Sequence, residues 1–176
     1  MVETEREEDV QAPICLEARL GELLRQRGWK LALAESCTGG LIGHRITNVP
    51  GSSDYFLGSI TAYAYEAKER LLGVRHETLE RFGAVSRETV LEMAHGARRA
   101  LDADLSAAVT GIAGPGGGME HKPVGLVWIG LAAPDGEWAF RFLWKGNRLE
   151  NKADSAQAAL HLLVDYLEGR LPHAGH

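Results

Sequence analysis

Apolar residues recur along this chain with two periods, and the switches between them mark out most of its elements. Leu16, Leu20, Leu23 and Leu24 fall at helical spacing and Gly28 supplies a stop, so residues from about 16 to 27 read as an amphipathic helix. WKLALA at 29–34 then reads as a short buried strand, ESCTGG at 35–40 as the turn that ends it, and LIGHRITNV at 41–49 as a second helix stopped by PGSSD. The alternation of SITAYAY at 59–65 predicts a strand with Ser59, Thr61, Tyr63 and Tyr65 on one face. EAKERLLG predicts a short helix closed by Gly73, and residues 76–82 another closed by Gly83. Ser86 can cap a longer helix whose Val90, Met93, Ala94, Ala97 and Leu101 share one face.

LSAAVT at 105–110 is a buried strand that runs into GIAGPGGG, the most glycine-dense stretch of the chain. VGLVWIGLAA at 124–133 and EWAFRFLWK at 137–145 flank Pro134-Asp135-Gly136 and predict a hairpin. A last amphipathic helix is expected from about 150 to 168. Strands alternating with helices, plus one hairpin, predict an α/β fold: a three-layer α/β/α sandwich whose mixed sheet includes the C-terminal hairpin. With no internal repeat and no linker, residues 13–170 are expected to form one domain. Residues 1–12, which hold the acidic run ETEREED, are expected to be flexible, and the tail RLPHAGH loose.

Composition narrows the function classes. A 176-residue chain that is 45% hydrophobic can build a real core, and its net charge of −5, without a Lys/Arg block, argues against a nucleic-acid partner. No apolar run approaches a membrane span and no leader pattern opens the chain, so no membrane partner is expected. Two cysteines, Cys15 and Cys37, cannot make a disulfide framework, which fits a reducing cytoplasm.

Two small-residue loops leave strands where α/β sheets bind ligands, ESCTGG and TGIAGPGGG. Neither carries the spacing of a P-loop or of a dinucleotide fingerprint. The seven histidines are scattered without ligand spacing, so neither a metal nor any other cofactor is expected. In ESCTGG a serine and a cysteine stand side by side, and the local residues leave open which, if either, is a nucleophile. A serine without a placed histidine needs another base, and a desolvated neutral lysine can supply one. Lys68 is in range of the argument, although lysines are rarely buried.

Several motifs in one order resolve this. AESCTGG at 34–40, PGSSDYFLG at 50–58, YAYEAK at 63–68, LLGV at 71–74, GAVS at 83–86, TGIAGPGGG at 110–118 and KPVG at 122–125 together resemble the C-terminal domain family of the competence/damage-inducible protein CinA, over roughly residues 15–168. Larger members carry a further N-terminal domain, for which this chain is expected to have no room. The resemblance implies a metal-independent amidohydrolase that converts nicotinamide mononucleotide and water to nicotinate mononucleotide and ammonia, a nucleotide as small-molecule partner, and a homodimer. It implies Ser36 as nucleophile, Lys68 as its general base and Tyr63 in the proton-transfer network. ESCTGG would hold the oxyanion, with Thr38, Gly39, Gly40, Thr110 and Gly111 as loop contacts to the substrate and Arg148 as phosphate partner. Tyr65, Met119 and Asn147 depart from the family pattern, so an amidase for another nucleotide, or a binding module without turnover, are the other readings.

Overall fold

The apolar run at 31–34 becomes a strand held between two parallel neighbours. In the computed structural model, which describes residues 15–171, β1 (Leu31–Glu35) pairs in parallel with β2 (Phe56–Thr61) on one side and β3 (Leu105–Gly111) on the other. β4 (Leu126–Ala133) runs antiparallel to β3, and β5 (Gly136–Leu143) antiparallel to β4, giving the order β2-β1-β3-β4-β5. The hairpin is therefore present, and the sheet is mixed. The segment 1–12 and residues 172–176 of the tail, with His173 and His176, lie outside the described residues.

A strand paired on both edges and covered on both faces can be apolar throughout, and all five residues of β1 are buried. Leu31 and Leu33 join one core with α1 (Leu16–Arg27), α2 (Leu41–Thr47) and α6 (Arg148–Leu167). Ala32 and Ala34 join a second core with α3 (Tyr65–Leu72), α4 (His76–Phe82) and α5 (Arg87–Ala100). Successive strand residues point to opposite faces, so these cores are the two interfaces of a three-layer sandwich. Trp138 is buried on the α6 side, and Phe140, Phe142 and Trp144 pack against the same core. Alanines on the other face let α5 lie close. A Cβ at Gly96 of α5 would come 2.0 Å from the Leu72 carbonyl oxygen, so the end of α3 rests on α5 at a point that only glycine permits.

Two predicted boundaries are corrected. The strand expected at 59–65 is β2 at Phe56–Thr61, whose last residue pairs with Glu35. Tyr63 lies in the connection after it and Tyr65 opens α3, so the two tyrosines do not share a strand face. Ala64 keeps an extended backbone (φ −81°, ψ 163°), which explains why the alternation continued past the strand's end. The last helix starts at Arg148 rather than 150, because Asn147 caps it: its side chain accepts from Leu149 and Glu150 N–H, while Glu150 Oε2 accepts from Asn147 N–H. Asn and Asp are equivalent N-caps, so the departure at 147 preserves this helix start.

Parallel strands bring their carboxyl ends to one edge of the sheet. Ser36 after β1, Tyr63 after β2 and Ile112 after β3 therefore emerge side by side. β5 ends at the same edge, since Leu143 pairs with Leu126 and Val127 with Gly111, and so delivers Arg148 there. Among the described residues no helix is long and apolar enough to cross a membrane.

Candidate active site

Ser36 is the first residue beyond β1, and its amide donates to the Val109 carbonyl at 2.9 Å, tying the start of the turn to β3. Its hydroxyl is 2.9 Å from Lys68 Nζ. Lys68 is the fourth residue of α3, and helical side chains lean toward the helix N-terminus. Its ammonium group therefore reaches back over the connection, 2.8 Å from the Ala62 carbonyl and 3.0 Å from that of Tyr63.

Lys68 is 1% exposed, and no carboxylate pairs with it among the described residues. Burial lowers its pKa from the ordinary 10.5 to about 8. A neutral amine has two N–H bonds and one lone pair. Two carbonyls accept the N–H bonds, which leaves the lone pair for the Ser36 hydroxyl. Cys37 is set up in the opposite sense. Its thiol is buried and pushed up to about 12, chiefly by that burial, so it remains a neutral thiol at any physiological pH.

The turn itself is organised by Glu35, a residue the sequence reading passed over. Its buried carboxylate accepts from Gly40 N–H (3.0 Å) and Ile42 N–H (3.1 Å) on one oxygen, and from Gly43 N–H (2.9 Å) and the Ser59 hydroxyl (2.9 Å) on the other. A carboxylate has about four acceptor positions, and here all are used. The chain's own carboxylate thus occupies these amides at the start of α2. The signal was legible, since an acid directly before a glycine-led helix start is a natural cap. Among the described residues the amides of Cys37 and Thr38 donate to no carbonyl. Glu35→Gln would turn an NH2 group toward two donors, so we expect it to lower stability by about 2–3 kcal/mol in urea denaturation.

Ser36, Lys68, Tyr63, Thr110, Gly111 and Arg148 line one cavity of about 170 Å3, together with Cys37. Ala84, Val85 and Ala113 complete its wall and were not anticipated, although GAVS was among the motifs. The Ala84 peptide is held from both ends: its carbonyl accepts from Thr110 Oγ1 (2.8 Å) and its N–H donates to the Tyr65 hydroxyl (3.2 Å). Tyr63 is 61% exposed, and it touches Lys68 through its carbonyl. Its hydroxyl instead accepts from Arg148 at 3.0 Å, while the other Arg148 terminal nitrogen donates to the Gly114 carbonyl at 2.7 Å. Thr38, Gly39 and Gly40 are not part of this cavity. They line a second one, of about 330 Å3, with Leu41, His44, Leu149 and Lys152. Among the described residues no three His, Cys, Asp or Glu side chains come together as metal ligands.

Comparison with known proteins places this arrangement. The family model described as the CinA C-terminal domain matches residues 14–167. A CinA-like protein of Chloroherpeton thalassium is 49% identical over 156 residues, covering 86% of this chain and 37% of that protein. The chain thus spans little more than a third of the length of the curated relatives it matches. Among solved structures, a competence/damage inducible protein from Agrobacterium tumefaciens is 41% identical with a TM-score of 0.78, covering 85% of this chain and 96% of that one. A competence or damage-inducible protein from Enterobacter asburiae is 34% identical with a TM-score of 0.84, covering 86% and 96%.

Proposed function

Because the chain belongs to the CinA C-terminal domain family, we propose that the Ser36 cavity hydrolyses a carboxamide, with nicotinamide mononucleotide as the substrate and nicotinate mononucleotide and ammonia as products. The observation that carries this reading is the 2.9 Å contact between Ser36 Oγ and a buried lysine that has no carboxylate partner among the described residues. A lysine held this way is a base near neutral pH rather than a permanent cation.

The steps follow from the atoms present. Lys68 Nζ takes the Ser36 hydroxyl proton as Oγ attacks the carboxamide carbon, and the oxyanion forms beside the Cys37 and Thr38 amides, which donate to no carbonyl among the described residues. The Lys68 ammonium passes the proton to the amide nitrogen, the C–N bond breaks and ammonia leaves. Water then attacks the acyl-serine, giving its proton to Lys68. Collapse of this second intermediate returns the proton to Ser36 Oγ and releases the carboxylate. Tyr63 acts by holding Arg148 at the cavity mouth, where three guanidinium N–H groups remain for a phosphate.

A related amidase for a different nucleotide is a second reading, favoured by the contact from Tyr65 to the Ala84 wall. Ammonia release from a panel comprising nicotinamide mononucleotide, nicotinamide riboside, free nicotinamide and other carboxamide nucleotides separates the two. We expect the highest kcat/KM on nicotinamide mononucleotide. A higher value on another carboxamide nucleotide selects the second reading, and no ammonia from any of them, with binding retained, indicates a binding module.

A further inference from the structure

Ala84 and Val85, which wall the Ser36 cavity, lie in a short segment between α4 and α5 that belongs to neither helix nor strand. Side chains hold this segment, each from a different part of the fold. The Phe82 carbonyl accepts from Lys122 Nζ of the glycine-rich loop, and the Gly83 carbonyl from Thr89 Oγ1 of α5 at 2.7 Å. The Ala84 carbonyl accepts from Thr110 Oγ1 of β3, and Ala84 N–H donates to the Tyr65 hydroxyl of α3. Gly83, where the chain enters the wall, takes φ +73° and ψ 172°, a conformation open to glycine. A Cβ there would come 2.9 Å from Lys122 Nζ and 3.8 Å from the Tyr65 hydroxyl oxygen, so the missing side chain leaves room for both tethers.

The tether from Tyr65 joins the wall to the helix that carries the base. Tyr65 opens α3 and Lys68 stands three residues later, so the two side chains leave the same side of the helix. One reaches Ala84 and the other Ser36. Among the described residues no other acceptor takes the Ala84 N–H. Tyr65 is half-exposed and is not among the residues that line the cavity, so it meets a substrate only through the wall. The space is narrow: about 170 Å3, against the ~300–1,000 Å3 that ligand sites usually offer. Alanine has no rotamer with which to adapt, so the placement of the Ala84 backbone sets the width of the cavity there.

We infer that Tyr65 is a specificity-determining positioning residue: its hydroxyl fixes the Ala84 wall relative to Lys68 and so limits the cavity to an acyl group no wider than a single ring. The inference rests on the amidase reading and extends it from the bond that breaks to the group that carries it.

Labelling of Ser36 by methanesulfonyl fluoride and by a naphthalenesulfonyl fluoride, mapped by mass spectrometry, measures that width without turnover. Tyr65→Phe removes the hydroxyl alone. It should speed the two-ring reagent relative to the methyl reagent by about tenfold, with the methyl rate and its pH midpoint unchanged. Tyr65→Asn, too short to reach Ala84, should do the same. In ammonia release, Tyr65→Phe should raise KM for nicotinamide mononucleotide by about fivefold with kcat retained. A rate ratio equal in wild type and Tyr65→Phe, or both rates falling together with the thermal midpoint, would overturn the inference. A shifted ratio without ammonia release by wild type from any carboxamide keeps the role of Tyr65 in shaping the cavity and removes the amidase reading. Ammonia release with an unshifted ratio does the reverse.

Discussion

Ser36→Ala is expected to lower kcat/KM for nicotinamide mononucleotide by about four to six orders of magnitude, the cost of removing a nucleophile that works as a unit with its base. The loss should come without unfolding, because among the described residues the Ser36 hydroxyl has one hydrogen-bond partner, Lys68, which keeps its two carbonyl acceptors when the hydroxyl is gone. The thermal midpoint should therefore move by no more than a few degrees. The neighbouring cysteine supplies the contrast. Cys37 lines the same cavity, but its thiol is held neutral by burial, so Cys37→Ser should retain activity within a small factor. Ammonia release by Ser36→Ala at the wild-type rate, or its loss in Cys37→Ser with the fold intact, would reassign the nucleophile.

Lys68 carries the second large effect, and pH reveals it. The base works when neutral, so with a pKa of about 8 the free enzyme's kcat/KM should rise tenfold per pH unit below 8 and level off above it. At pH 6 the value should be about a hundredth of the plateau. Lys68→Met should remove activity at every pH, and Lys68→Arg likewise, since a guanidinium keeps its proton and provides no base. Stability should follow the same group. Its folded pKa of about 8 lies below the ordinary 10.5, so between those values the unfolded chain binds more protons than the folded one and stability rises with pH. Lys68→Met should lack that rise. A flat rate profile across pH 6 to 9 would show that the lysine is not the base.

The architecture was legible where a pattern was both long and interrupted. The leucines of α1 stop at Gly28, which takes the left-handed conformation that ends the helix, and the hairpin follows from two apolar runs around Pro134 and Asp135. The end of β2 was not legible, because Ala64 keeps an extended backbone beyond the last paired residue, Thr61, and the alternation of residue types continues across that change. The reach of Lys68 depends on the lean of a side chain in a short helix, which spacing along the chain does not encode. Glu35 could have been read as a cap from its place before Gly39 and Gly40. The split of the ESCTGG turn between two cavities could not, since it follows from which side of the turn α6 approaches: Arg148 meets one cavity, while Leu149 and Lys152 meet the other.

Activation of Ser36 by a neutral Lys68 is the centre of this account, and covalent labelling tests it without assuming a substrate. Wild-type protein treated with a small sulfonyl fluoride across pH 6 to 10, then digested and mapped by mass spectrometry, should carry the label on Ser36. The labelling rate should climb to a plateau with a midpoint near 8, and Lys68→Met should lose that reactivity. Labelling of Cys37 instead, or of Ser36 at a rate that neither pH nor Lys68→Met alters, would contradict it.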